Sequence, residues 1–386
     1  MISAYFDKIE QINSDYISVW QQVCNLESPT DCKSGVDSVG DFFASLAQQK
    51  GWAVERFNHD QSGNVVCITM NKEGEGAPLV LSGHMDTVFP VGAFGTPATH
   101  VEGDKIYGPG VCDCKGGLVA GFMAMDALDQ CGYKGRPVML LLQSDEENGS
   151  KRSQKATINY ICNKAKDGVA FLNLEGHTAG EGCLERKGII TYKFSVHGIA
   201  AHSSRSASEG ANAIAEAAHK IIEIEKIKDG EGVTCACTII SAGTTVNTVP
   251  DLCEFKVNIR FATAEQKQWV EAKMQEIADT VYISGCKTDL TVESYRTAME
   301  FSQKNKALLD LMNEAFTESG LPTLKASKRT GGSDAADITA FGIPCVDSVG
   351  VRGGKIHTTD EFAIVDSLAE SAKRLVAVAH KLSKEQ

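Results

Sequence analysis

The chain has 386 residues, enough for two or three domains of about 150 residues each, and its 42% hydrophobic and 23% charged side chains are those of an ordinary globular protein with a sizeable core. Its 50 acidic and 38 basic side chains leave a net charge of −12, a field that repels phosphate backbones and anionic lipid head groups, so nucleic acid and membrane surfaces are excluded as partners. Thirteen cysteines without framework spacing read as reduced thiols, the N-terminal stretch carries charges throughout, and no apolar run approaches a membrane span, so a cytoplasmic location is expected.

Ile2, Phe6, Ile9, Ile12, Tyr16, Ile17, Trp20 and Val23 recur at three- and four-residue intervals, which predicts an opening helix with one buried face. Short apolar runs follow at 65–70, 78–81, 138–142, 169–174 and 345–349, each bounded by Gly or polar residues, as in strands buried on both faces. Helical stretches at 117–128 and 157–166 lie between them, and this βαβ alternation predicts a doubly wound, mostly parallel α/β domain. From about 187 to 296 the texture changes. The run 252–261 alternates apolar and polar residues, the mark of a strand with one wet face. The expected order is strand 189–197, helix 208–228, strand 234–241, strand 252–261, helix 264–282 and strand 287–296, the βαββαβ order of a ferredoxin-like α+β domain. Helices near 304–319 and 363–384 resume the α/β texture. The predicted organisation is therefore an α/β domain at 1–186 and 297–386 with a second domain inserted at 187–296.

The polar residues fall where the apolar runs end. Run 78–81 leads into Gly83-His84-Met85-Asp86, run 138–142 into Asp145-Glu146-Glu147, and run 169–174 into Glu175-Gly176-His177. The carboxyl ends of parallel strands are where such sheets bind ligands. Asp113, in the glycine-rich YGPGVCDCKGG, and His357, after run 345–349, add two more candidates. Imidazoles and carboxylates without paired thiolates favour a hydrolytic divalent metal over structural zinc. The glycine-rich stretch fits neither GxxxxGK[ST] nor GxGxxG, so nucleotide binding is set aside. Cys112 and Cys114 flank Asp113, so thiolate ligation is an alternative, but both are expected to point away from it into packing; His177 reads as a solvated loop residue, and Cys235-x-Cys237 reads as strand packing.

GHMDTVFP (83–90), YGPGVCDCKGG (107–117), SDEENGS (144–150), NLEGH (173–177), RTGGSDAA (329–336) and KIHTTDE (355–361) resemble, in order, the motifs of the dinuclear zinc peptidase family of glutamate carboxypeptidase, aminoacylase and the cytosolic dipeptidases and tripeptidases, with glutamate carboxypeptidase nearest. The resemblance implies two divalent ions per chain, most simply Zn²⁺ with Co²⁺ or Mn²⁺ as alternatives. One would be held by His84 and Glu175, the other by Glu147 and His357, with Asp113 bridging. It implies that Asp86 orients His84, and that the water lying between the ions is activated with Glu146 as general base. Adjacent residues point to different sides, so Glu147 can bind metal while Glu146 faces the water. In the inserted domain, His202 matches an oxyanion-stabilising histidine that reaches a partner subunit's site. His197 reads as a surface residue, and Asn247, Arg260 and Arg329 match substrate-binding positions. A guanidinium pairs bidentately with a carboxylate, which makes Arg329 the candidate for a substrate's free C-terminal carboxylate. The implied activity is hydrolysis of the amide bond next to a C-terminal amino acid in a small peptide, by a homodimer assembled through the inserted domain. The alternatives are an N-acyl amino-acid deacylase or a di/tripeptidase, and more remotely a non-catalytic metal-binding relative.

Overall fold

The computed structural model describes residues 2–178, 180–229 and 232–384. The chain forms two compact units, one of Met1–Leu184, Phe301–Lys328 and Ser333–Gln386, the other of Glu185–Glu300 and Arg329–Gly332. Among the described residues no helix is long and apolar enough to cross a membrane.

The first unit is an α/β fold built on a six-stranded sheet in the order Ala53–Phe57, Val65–Met70, Val138–Gln143, Leu79–His84, Ala170–Asn173, Cys345–Val346. The last four strands run parallel. Val65–Met70 is antiparallel to both its neighbours, although its uninterrupted apolar run reads like a parallel strand. Burial on both faces explains the run, because all six residues are covered whatever the strand's direction. Helix Lys115–Gln130 is buried along nearly its whole length, between helices Ile2–Asn25 and Ser367–Lys384 and the sheet. Its Phe122 meets Tyr16, Phe43 and Trp52 with ring centroids 6.4, 5.8 and 5.0 Å away, which ties the opening helix and helix Lys33–Gln49 to the centre of the unit.

Strand register sets the site. His84 lies opposite Gln143 and Ser82 opposite Asn173, so His84, the Glu146-Glu147 pair and Glu175 leave the sheet side by side at one edge. A smaller sheet brings in the remaining pieces. Phe362–Ile364 pairs antiparallel with Lys105–Tyr107, Phe362 opposite Tyr107, so the segment before Phe362 and the glycine-rich segment after Tyr107 leave at the same end. That pairing also delays the last helix to Ser367, four residues beyond its expected start at 363. The glycines after Asp113 are required by close approach. A Cβ on Gly117 would run into the Leu174 carbonyl, and one on Gly116 into that of Val111.

The second unit has a four-stranded antiparallel sheet in the order Thr234–Ala242, Leu252–Phe261, Gly188–His197, Lys287–Arg296, with helices Ala213–Glu225 and Ala264–Asp279. This is the βαββαβ arrangement of a ferredoxin-like sheet. Ile190, Tyr192, Phe194 and Val196 join Cys253, Phe255, Val257 and Ile259 in its core, while the alternate residues face outward. Both helices are shorter than the apolar pattern suggests. Asn212 caps the first by accepting the N–H groups of Ile214 and Ala215. Buried Lys220, paired with Glu216 at 3.0 Å, donates to the carbonyls of Ile277, Ala278 and Thr280 and closes the second.

Candidate metal centre

Asp113 is the hub of the strand-end cluster. Its Oδ1 lies 3.0 Å from His84 Nε2 and its Oδ2 3.2 Å from His357 Nε2. His357 Nε2 is also 3.2 Å from Glu147 Oε2, and His84 Nε2 is 3.6 Å from Glu175 Oε1. Ligand atoms that share one ion at about 2.0–2.2 Å stand about 3–3.6 Å from each other, so the five side chains have the spacing and chemistry of a divalent-metal donor set. His84 is buried and His357 stands at the rim, its side chain 54% exposed.

Asp86 is buried beneath this cluster. The His84 Nδ1 lies 2.9 Å from the Asp86 backbone carbonyl and 3.4 Å from its carboxylate. The carboxylate itself accepts the backbone N–H groups of Glu146 and Glu147, at 3.1 Å each, and the Thr30 hydroxyl at 2.7 Å. It thus fixes the Glu146-Glu147 turn as much as the imidazole. Glu361 does the same for the hub. Completely buried, it accepts the N–H groups of Cys112, Asp113 and Gly110 at 2.9, 3.0 and 3.2 Å. Sequence reasoning placed Glu361 in the KIHTTDE motif without assigning it a task. Its spacing of four residues from His357 is the only sequence signal that it shares the loop.

The electrostatics call for cations. Burial and the neighbouring Asp113 push Glu147 up to about 8, and burial with the same neighbour pushes Glu361 up to about 7. Burial opposes ionisation of Asp113 as well, but hydrogen bonds from His357 and His84 hold its carboxyl well below the usual range. His357, bonded to Asp113 and Glu147, is raised to about 10. In the metal-free protein the two carboxylates therefore favour the protonated form of His357. The stability linked to His357 is complete below about 6.5 and is lost as pH rises through about 10, and that of Glu147 is lost between about 4.5 and 8. Both act in one direction. Chelator-treated protein is expected to melt at progressively lower temperature from pH 6.5 to 9, while bound metal, no longer competing with protons, stabilises more. A gap between metal-loaded and metal-free melting temperatures that stays constant over this range would contradict this electrostatic account.

The other expected residues lie in the second unit. Strand Ala201–His202 pairs with Thr248–Val249, and Ser203 N–H donates to the Asn247 carbonyl at 2.9 Å, which sets His202 beside Asn247. His202 is exposed, its Nδ1 2.8 Å from the Ser204 hydroxyl. Arg260 donates to the Thr330 carbonyl and Arg186 to those of Gly331 and Gly332, so two guanidiniums hold the segment that begins at Arg329. His197 pairs with Asp289 at 3.2 Å on the surface. His177 is buried, not a solvated loop residue, because its backbone bridges to the chain at Val351–Gly353. Cys235 and Cys237 are free thiols in or against the core of the second unit. Cys114 is fully buried, with its thiol within 4.8 Å of a ring nitrogen of His84 and a carboxylate oxygen of Glu175.

The sequence model of peptidase family M20/M25/M40 matches residues 80–381. Carboxypeptidase G2 of Pseudomonas sp. (strain RS-16) is 28% identical over 358 residues, spanning 91% of this chain and 84% of its own length. Succinyl-diaminopimelate desuccinylase of Dinoroseobacter shibae is 28% identical over 340 residues, 83% of this chain and 87% of its own. Among solved structures, aminopeptidase PepT from Bacillus cereus shares the fold with a TM-score of 0.78 at 21% identity, over 96% of this chain and 98% of that one.

Proposed function

Given that the chain belongs to peptidase family M20/M25/M40, we propose that this hydrolase uses two divalent ions to cleave the amide bond preceding a C-terminal amino acid in a small peptide. The observation that carries this reading is the clustering of His84 and His357 on Asp113, with Glu175 against His84 and Glu147 against His357, and with a further carboxylate, Glu146, next to Glu147 in the chain. Zinc suits the donor set, with cobalt or manganese as alternatives. When bound, the ions supply Lewis acidity to the scissile carbonyl and to the attacking water. Glu146 accepts the water's proton and hands it to the leaving amine. Asp86 keeps Glu146 and Glu147 in register through their backbone N–H groups. His202, acting across a homodimer assembled through the second unit, is the candidate donor to the developing oxyanion, with Asn247 beside it.

Arg329, supported by Arg260, is the candidate partner of the substrate's free carboxylate. A panel of dipeptides, tripeptides and N-acyl amino acids, each as free acid and C-terminal amide, tests this with metal-reconstituted protein. Free acids are expected to turn over and amides to fail. Arg329→Ala is expected to erase the discrimination, worth about 2–5 kcal/mol for a desolvated charge pair. Equal turnover of acid and amide by the unmodified protein would sink the carboxypeptidase reading. Turnover confined to N-acyl amino acids would move the chain to the deacylase class to which the desuccinylase relative belongs by name.

A further inference from the structure

The thiol of Cys114 is completely buried, and it is not packed against apolar side chains alone. Its Sγ accepts the backbone N–H of His84 at 3.0 Å and its S–H donates to the His84 carbonyl oxygen at 3.7 Å, so the residue is tied to the strand end that carries the imidazole. One ring nitrogen of His84, one carboxylate oxygen of Glu175 and this sulfur all lie within 4.8 Å of one another. His84 Nε2 is at the same time 3.0 Å from Asp113 Oδ1. Two three-donor groups therefore share His84: one of nitrogen, oxygen and sulfur with Glu175 and Cys114, the other of nitrogen and two oxygens with Asp113 and Glu147, which His357 also approaches.

From this asymmetry we infer that Cys114 is a thiolate ligand of the ion held by His84 and Glu175. The inference rests on the metal centre proposed above and deepens it. A donor set of nitrogen, oxygen and sulfur suits zinc, and a sulfur in only one of the two groups makes the two positions chemically unequal. The position with sulfur prefers zinc, cobalt or cadmium. The position of Glu147 and His357, without sulfur, accepts harder ions such as manganese. On coordination the S–H proton is released to solvent and the sulfur binds as thiolate. Cys112 is the natural control, since its thiol lies against Gly176 and Gly353.

The test uses the full-length protein loaded with metal and does not depend on turnover. X-ray absorption at the zinc edge is expected to show a sulfur scatterer at about 2.3 Å alongside nitrogen and oxygen at about 2.0–2.2 Å. In the cobalt-loaded protein a near-ultraviolet sulfur-to-metal charge-transfer band is expected. It should persist in Cys112→Ser and vanish in Cys114→Ser, whose zinc affinity should fall at least about tenfold while its manganese affinity changes little. A band that survives Cys114→Ser overturns the assignment. If that variant does not fold, the unmodified protein decides alone. Only nitrogen and oxygen scatterers at two zinc ions per chain overturn the cysteine ligand and leave the dinuclear reading standing, whereas a protein that takes up no zinc overturns both.

Discussion

Glu146→Gln is expected to lower kcat by at least about 100-fold and up to about 10,000-fold, with metal content near that of the unmodified protein and little change in KM. Glutamine keeps the shape of the side chain and removes its capacity to accept a proton. The turn that carries it is held from outside the side chain, because Asp86 binds the backbone N–H groups of both Glu146 and Glu147. The substitution therefore leaves Glu147 at its 3.2 Å approach to His357. Metal analysis alongside steady-state kinetics separates the two glutamates. Parallel loss of metal and activity would mean that Glu146 binds an ion and that Glu147 is the base.

Asp86→Ala should be the most damaging single change to the scaffold. Its carboxylate is fully buried and accepts three hydrogen bonds, from Thr30, Glu146 and Glu147, with His84 Nδ1 at 3.4 Å. A hydrogen bond to a charged group contributes about 1.5–3 kcal/mol, and its loss here leaves two backbone donors buried without an acceptor. A destabilisation of about 3–5 kcal/mol is expected, together with a 10- to 100-fold loss of metal affinity and at least about 100-fold loss of kcat as the turn loosens. Asp86→Asn, which keeps one acceptor oxygen, should recover part of the stability. Denaturant unfolding and metal titration of both variants check this, and an Asp86→Ala protein of unaltered stability would show that the turn is held by something else.

Five of the six strands in the first unit's sheet are readable because they are continuous apolar runs, whereas Ala53–Phe57, with Glu55 and Arg56 exposed, is not; the register places His84, Glu146-Glu147 and Glu175 at one edge. Helix Lys33–Gln49 is harder to see: small residues, Gly40, Ala44 and Ala47, carry much of its buried face, so hydrophobic periodicity is muted. Val65–Met70 shows that an apolar run reports burial and not strand direction. Glu361 and Cys114 are illegible for a different reason. Their significance comes from approaches between segments far apart in the chain, Glu361 to Asp113 and Cys114 to Glu175, which no local pattern encodes. The same limit applies to His177, whose burial depends on a bridge to Arg352.

The position of His357 and Glu361 also orders events during synthesis. His357 follows Asp113 by 244 residues, and all of Glu185–Glu300 lies between them. At about 5–20 residues per second the ribosome needs roughly 12 to 50 s to cover that distance. Throughout it, Asp113 has neither the second imidazole nor the Glu361 carboxylate that binds its backbone N–H. All of Glu185–Glu300 is synthesised before the first unit has the residues that close around its hub, so the second unit's main body is free to fold while the first still waits for its last segment.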